Sequence, residues 1–412
     1  MRRFRRRHRT APSCSEPEHR NAHATAAAIC GTDLHLVRGT LSGMKKGTIL
    51  GHEGVGIVEE IGPQVKEIKV GDRVVVCSTI ACGRCLYCQS GEYSSCDNAN
   101  PNGAEAGTAF FGGPATAGSY NGLQAERARI PYADTTLVRL PDGIKDEDAI
   151  LISDIFPTGY MGAEIADVRG GDIVAVFGCG PVGQMAIASA KFLGASKVIA
   201  VDCLPDRLDM ARSQGAVVVN YDEEDPVKAL KDLSNGFGPD ACIDAVGVDA
   251  QRPHHGPAKK GSLLHTVEYM MEQHAVAPWT VPVGSQWRQG DAPSQVLIWC
   301  LESVRKSGVI SVIGVYPATA KFFPIGMAMQ KSLTMRTANC SHRKYIPKVI
   351  QLMEESNFRP STILTKMQPI NEAVDSYKHF DKREPGWLKV EILPQDWHGA
   401  TEEKSKKPAT IR

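Results

Sequence analysis

Residues Ile173 to Phe177 form an unbroken apolar run that leads straight into Gly178-Cys179-Gly180-Pro181-Val182-Gly183. A helix-like stretch of small residues follows, closed by Gly194. A strand, a glycine-rich turn and a helix in this order constrain the fold more than any other feature of the chain, because they define a unit of a parallel sheet that binds a dinucleotide. Gly178 permits the tight turn, Gly180 lets the backbone approach a pyrophosphate, and Gly183 lets the helix pack closely on the strand. Val182 lies inside the same turn, and the helix behind it presents unpaired N–H groups to phosphate. The next strand ends at Asp202, nineteen residues past Gly183. A carboxylate there accepts from both ribose hydroxyls and repels a 2′-phosphate, so the expected cofactor is NAD.

Further apolar runs at Ala241 to Val246 and Val309 to Gly314 continue the alternation of strand and helix. The fold class expected is α/β, a doubly wound parallel Rossmann sheet. Val55 to Ile61 and Val74 to Val76, set between glycine turns, point instead to a β-rich domain before it. The boundaries drawn are an atypical basic segment over 1–24, a β-rich domain over 25–155, the dinucleotide domain over 156–316, and a return of the β-rich domain with a polar tail over 317–412. Ala250 to Gln295 interrupts the alternation and reads as a surface excursion.

The segment 1–24 opens MRRFRRRHR and lacks apolar periodicity, so no structure is assigned to it. The chain as a whole carries a net charge of +1, which excludes a global field for nucleic acid or an anionic membrane. No apolar stretch is long enough to span a bilayer, and no apolar segment follows the basic head as in a secretory signal. The expected location is the cytoplasm.

Of twelve cysteines, Cys82, Cys85, Cys88 and Cys96 fall in a C-x2-C-x2-C-x7-C pattern. Short steps let the thiolates converge on one tetrahedral ion, and four sulfurs close its shell against substrate. A structural zinc is expected there. Cys77 lies outside the pattern and reads as a small buried hydrophobe.

From about Thr25 to Pro394 the chain resembles the zinc-containing medium-chain dehydrogenase superfamily, and within it the formaldehyde dehydrogenase-like branch. The resemblance rests on CGTDLH at 30–35, GHEGVGIVEEIG at 51–62, GDRVVV at 71–76, the four-cysteine lobe, SDIFPTGY at 153–160 and GCGPVG at 178–183. It implies a GroES-like catalytic domain and a catalytic zinc held by Cys30, His52 and Asp154, where many relatives place a cysteine third. The open fourth position lowers the pKa of a bound oxygen toward about 7. Thr32 and His35 are implied as a proton relay, Asp33 as the acid that orients His52, and Glu53 as an acid close to the metal. Thr158 and Gly314 match positions that line the nicotinamide.

The implied protein holds two zinc ions and NAD, and acts on a primary alcohol or small aldehyde. It works as a dimer or tetramer, with no nucleic acid or membrane partner. Two alternatives stand beside this reading: a polyol dehydrogenase, and a member impaired by its unusual start. Relatives begin with β structure where this chain has its basic segment, so an uncovered sheet edge is expected. Gly31 stands where some relatives place an arginine against the pyrophosphate, and Lys389 is a candidate to replace it. The excursion over 250–295 is placed over the adenine.

Overall fold

The computed structural model describes residues 20–259, 263–278, 280–283 and 285–394. Five strands come first: β1 (Arg20–Ile29), β2 (Gly54–Ile61), β3 (Arg73–Val76), β4 (Arg127–Ile130) and β5 (Leu137–Arg139). Six more build the second sheet: β6 (Ile173–Phe177), β7 (Lys197–Asp202), β8 (Val217–Asn220), β9 (Ala241–Asp244), β10 (Val309–Val312) and β11 (Thr334–Thr337). The chain then returns to the first sheet with β12 (Lys366–Pro369) and β13 (Val390–Leu393).

The first sheet has seven strands in the order β12-β13-β1-β2-β3-β5, with β4 also on β1. The second is parallel throughout, in the order β11-β10-β9-β6-β7-β8. Its central strands are apolar along their length because helices cover both faces: Val174 to Phe177 and Val198 to Asp202 are all buried. The reversal of strand order falls between β9 and β6, which opens a crevice at the carboxyl ends of the strands.

Two corrections concern the boundaries. Strand β1 begins at Arg20, inside the segment to which no structure was assigned. Its backbone pairs along one edge with β2, and along the other with β4 over Arg20 to His23 and with β13 over Ala27 to Ile29. The expected uncovered edge is therefore absent at β1; the long-range pairing overrides a weak local pattern. The basic run over 1–9 lies outside the described residues. Second, the sixth parallel strand is β11, beyond the boundary at 316, so the return of the catalytic domain starts later than drawn. The excursion is also not all loop: it contains the helix Leu263–Val276.

The first sheet shares a core with helices that belong to the second. Val55 and Val75 of the first sheet pack with Ile150, Leu151, Phe156 and Met185, and with Ile346 and Val349 from the helix His342–Ser356. Phe156 is fully buried and meets Phe358 edge-on. Helix Ile155–Ile165 lies so close to helix Pro181–Phe192 that a Cβ on Gly159 would sit 2.6 Å from the Ala186 nitrogen. A continuous core of this kind fixes the first sheet against the second, and with it the cleft between them.

Candidate active site

The end of β1 delivers Cys30, which caps the helix Gly31–Arg38. Its backbone N–H donates to Asp33 Oδ2 at 3.0 Å, so the metal-ligand candidate and the acid three residues on are locked in one turn. His52 and Glu53 stand just before β2. Asp154 lies in the break between helices Asp146–Ile152 and Ile155–Ile165. Ser153 holds that break in place: its hydroxyl donates to the Val76 carbonyl at 2.6 Å and accepts from Gly54 N–H at 3.0 Å. Three distant segments thus converge on one point.

Asp154 Oδ2 is 3.2 Å from His52 Nε2 and 3.6 Å from Cys30 Sγ. Donor atoms of Cys30, His52, Glu53 and Asp154 all lie within 4.8 Å of one another, and all four residues are buried. Zinc bonds of about 2.0–2.3 Å in a tetrahedron place ligand atoms roughly 3.3–3.8 Å apart, which matches this spacing. The charges agree. Burial pushes the Cys30 thiol above its ordinary pKa, with Asp154 and Glu53 adding to the rise and His52 opposing it. Of the three acidic groups in this dry pocket Glu53 is already paired with the buried Lys389, and a divalent ion between Cys30 and Asp154 would hold the thiol ionised.

The supporting groups are also in place. Asp33 Oδ1 lies 3.2 Å from His52 Nδ1, an ion-pair contact somewhat off the line of a hydrogen bond. Burial works against a charged His52, but Asp33 and Cys30 outweigh it and hold its pKa well above the usual range. Gln124 donates to the Ala28 carbonyl at 3.0 Å and to Asp33 Oδ2 at 3.3 Å, and accepts from the Tyr377 hydroxyl at 2.9 Å. Sequence reasoning gave no role to Ser153, although it lies in the SDIFPTGY motif, and missed Gln124 and Tyr377, which carry no local motif.

Lys389 is a correction. It does not face the pyrophosphate site; it is wholly buried, ion-paired with Glu53, and donates to the Ile29 carbonyl at 3.1 Å. The cations beside Asp202 are Arg207 and Arg383, both lining the cleft. The other oxygen of Glu53, Oε1, has no partner among the described residues.

A second omission is His342, at the start of helix His342–Ser356. Its Nε2 lies 2.7 Å from Asp154 Oδ1. Burial would raise the Asp154 pKa, but His342 and His52 hold it well below the usual carboxylate range. Nothing in the sequence near Asp154 announces a partner 188 residues away.

The cleft holds about 1110 Å³ and joins this cluster to the parallel sheet. Cys30, Thr32, His35, His52, Asp154, Thr158, Gly178, Gly180, Val182, Asp202 and Gly314 all line it. Gly183 stands behind, where a Cβ would come within 1.7 Å of the Gly178 carbonyl, as close packing of helix on strand requires. Asp202 Oδ2 accepts from Cys179 N–H at 2.7 Å, and Oδ1 from Cys203 and Leu204 N–H at 2.7 and 3.0 Å. The acid therefore also ties the end of β7 to the glycine turn. The helix Leu263–Val276 brings Glu272 and Val276 to the same cleft.

The four-cysteine lobe has its own geometry. Cys85 and Cys96 sulfurs are 3.8 Å apart, and all four sulfurs lie within 4.8 Å of one another. The N–H groups of Cys82 and Arg84 and the Asn98 amide point at sulfur atoms. Burial opposes the Cys85 thiolate, but N–H donors of Cys88 and Asp97 outweigh it and bring the pKa down to about 7. Cys77 is buried apart from this lobe, its thiol pushed up to about 12 by burial.

A catalytic β domain with a Cys-His-Asp cluster, facing a parallel sheet with its glycine turn across one cleft, defines a zinc-dependent dehydrogenase. Comparison with known proteins agrees. Residues 18–142 match the family described as alcohol dehydrogenase GroES-like domain, and residues 181–254 match the family described as zinc-binding dehydrogenase. The chain is 34% identical to a zinc-type alcohol dehydrogenase-like protein of Schizosaccharomyces pombe, over 92% of this chain and 86% of that one. It is 32% identical to a glutathione-independent formaldehyde dehydrogenase of Pseudomonas aeruginosa, over 87% and 85%. Among solved structures, the alcohol dehydrogenase of Thermus sp. ATN1 superposes with a TM-score of 0.76 at 33% identity, covering 94% of this chain and 96% of that one. The chain belongs to the zinc-dependent alcohol dehydrogenase family of the medium-chain superfamily. Among the described residues, no helix is long and apolar enough to cross a membrane.

Proposed function

We propose that the protein is an NAD-dependent zinc oxidoreductase acting on primary alcohols or small aldehydes, with one catalytic and one structural zinc. The observation that carries this reading is the convergence of Cys30, His52 and Asp154 at one end of the cleft that also holds the glycine turn. Cys30, His52 and Asp154 would hold a zinc ion that would supply Lewis acidity at the substrate oxygen, and the glycine turn and Asp202 would hold a nicotinamide dinucleotide that would supply hydride exchange. The chain's own residues do the rest.

Cys30, His52 and Asp154 supply three ligand atoms and leave one position for substrate. Thr158 and Gly314 shape the wall against which the nicotinamide lies, and Asp202 favours an unphosphorylated ribose. Thr32 takes the substrate proton and His35 carries it outward. Burial holds the His35 pKa down, only partly offset by Asp249, so the ring is neutral and able to accept. Its Nδ1 has no partner among the described residues and is free for that task. Phe110 meets His52 edge-on and gives the metal end an apolar wall, which favours a simple carbon chain over a polyol.

A homo-oligomer fits the surface of the cofactor domain. Strand β11 is an edge whose four residues, Met335 among them, are all exposed, beside exposed Ile325 and Met329. Such an edge is suited to pairing with a second copy.

The test is NADH formation by the zinc-loaded protein with formaldehyde, primary alcohols and polyols in parallel. Turnover with a primary alcohol or an aldehyde is expected. A folded, metal-loaded sample that turns over only polyols, or nothing, would overturn the reading.

A further inference from the structure

The two oxygens of Asp154 have different surroundings. Oδ2 faces Cys30 Sγ and His52 Nε2, at 3.6 and 3.2 Å. Oδ1 faces away from them, 2.7 Å from His342 Nε2 and 3.1 Å from the Thr158 hydroxyl, which donates to it. We propose that His342 is a positioning residue that commits Asp154 Oδ1 to the protein, so that Asp154 binds the metal through Oδ2 alone.

The chemistry gives the contact its direction. A carboxylate only accepts hydrogen bonds, so His342 Nε2 carries the hydrogen and donates. The ring cannot swing away, because its Nδ1 is held 3.1 Å from the Thr79 hydroxyl, which also reaches the Cys340 carbonyl at 3.1 Å. His342 is itself anchored through its neighbour. Ser341 Oγ accepts from Ser94 N–H at 3.1 Å and lies 3.1 Å from Ser94 Oγ. Ser94 belongs to the short helical turn Tyr93–Ser95, between Cys88 and Cys96 of the four-cysteine lobe. A buried path thus runs from the lobe by hydrogen bonds from Ser94 to Ser341, along the backbone to His342, and by a hydrogen bond to Asp154.

The consequence is one of coordination number. A thiolate binds through one atom, whereas a carboxylate binds through one oxygen or two. Binding through both oxygens would fill the position that substrate needs. With Oδ1 engaged by two donors, the carboxylate acts as a one-atom ligand and the fourth position stays open. Groups that orient a ligand in this way typically contribute about 10–100-fold to metal affinity.

The inference rests on the reading of Asp154 as a metal ligand, and the experiment separates the two. Cobalt(II) replaces the catalytic zinc in the full-length protein, and its visible absorption reports four or five ligands. Metal content is followed during dialysis against a chelator. In His342→Phe, a weaker, five-coordinate spectrum is expected, with one of two metal ions lost about 10–100-fold faster. In His342→Gln, which keeps an N–H donor, the spectrum should return toward that of the parent. A folded His342→Phe protein with the parental spectrum and the parental rate of metal loss would overturn the proposal, as would a Gln variant no better than Phe. If the Phe variant does not fold, His342→Asn, whose amide stops short of Asp154, carries the same expectation and the same overturning result. Asp154→Ala tests the underlying reading: two metal ions still held as tightly as in the parent would sink that reading, whatever His342 does.

Discussion

The Cys-His-Asp cluster and the four-cysteine lobe are both sets of side chains that could hold a metal ion, yet they are built in opposite ways. The lobe draws all its sulfurs from 82–96, and two of its four cysteines are only half-buried. The catalytic cluster draws Cys30, His52 and Asp154 from three segments that the core of two sheets must bring together, and every member is buried. On the proposed reading, a metal in the lobe would stand in for a core that so short a loop cannot build. In the cluster the ligand candidates are brought together by a packed core, so on the proposed reading the fold would stand without the metal. Removing metal should therefore disturb folding at one site and chemistry at the other.

The largest effect is expected at the cluster. His52→Ala removes a ligand, and the charge stabilisation at stake is several kcal/mol, or a fall in kcat/KM of about 10³ or more. The melting temperature should move little. Cys88→Ser is the mirror experiment. It should lower the melting temperature and the soluble yield sharply, with any protein that remains folded retaining turnover. Steady-state kinetics and thermal melts on both variants check the contrast. If Cys88→Ser keeps its melting temperature and loses turnover, the two roles are reversed.

The two clusters also differ in how they can be read from sequence. The lobe is legible from spacing alone, because its ligands are neighbours in the chain. Cys30 and His52 taken singly say little, and only the resemblance carried by CGTDLH, GHEGVG and SDIFPTGY identifies them. The parallel sheet was legible because each strand buried on both faces is an apolar run of its own. Strand β1 was not: Arg20 to His23 carry no alternation, and their pairing is decided by β2 and β4 on either side. His342, Gln124 and Lys389 were illegible for a similar reason. Each acts on a group between 91 and 360 residues away, and a polar residue aimed into a core leaves no periodic trace.

A third ionic centre sharpens the comparison, since it has charge but no metal-ligand set. Arg38 is buried and reaches Asp249 at 2.7 Å and Asp381 at 2.9 Å. Asp249 follows β9 in the cofactor domain, whereas Arg38 and Asp381 belong to the catalytic domain, so the group bridges the cleft. Breaking a buried pair leaves an uncompensated charge, and Arg38→Met should cost about 3–5 kcal/mol of stability. Burial would raise the Asp249 pKa, but Arg38, His35 and Arg383 outweigh it and hold it well below the usual carboxylate range. A depressed carboxylate stabilises the fold at every pH above its unfolded value of about 3.9, and that contribution is lost as the pH falls further. Asp249→Asn lacks this contribution at every pH, so it should be less stable than the parent near neutrality and lose stability less steeply below about pH 4. An acid limb identical to that of the parent would show that Asp249 carries no such linkage.

The smallest effect tests whether the lobe and the cluster are independent at all. Ser341 joins them through its two contacts with Ser94, and both residues are buried. A hydrogen bond of this type contributes about 1 kcal/mol net, so Ser341→Ala should lower stability by about 1–2 kcal/mol. If the link only fastens the lobe, the cobalt spectrum of the catalytic site will be that of the parent. If it also steadies His342, the spectrum will shift slightly toward that of His342→Phe, while Ser90→Ala, whose hydroxyl bonds only within its own exposed turn, leaves it unchanged. A shift in Ser341→Ala alone would mean that the structural metal, besides replacing a core, sets the alignment of a catalytic ligand from outside the cleft.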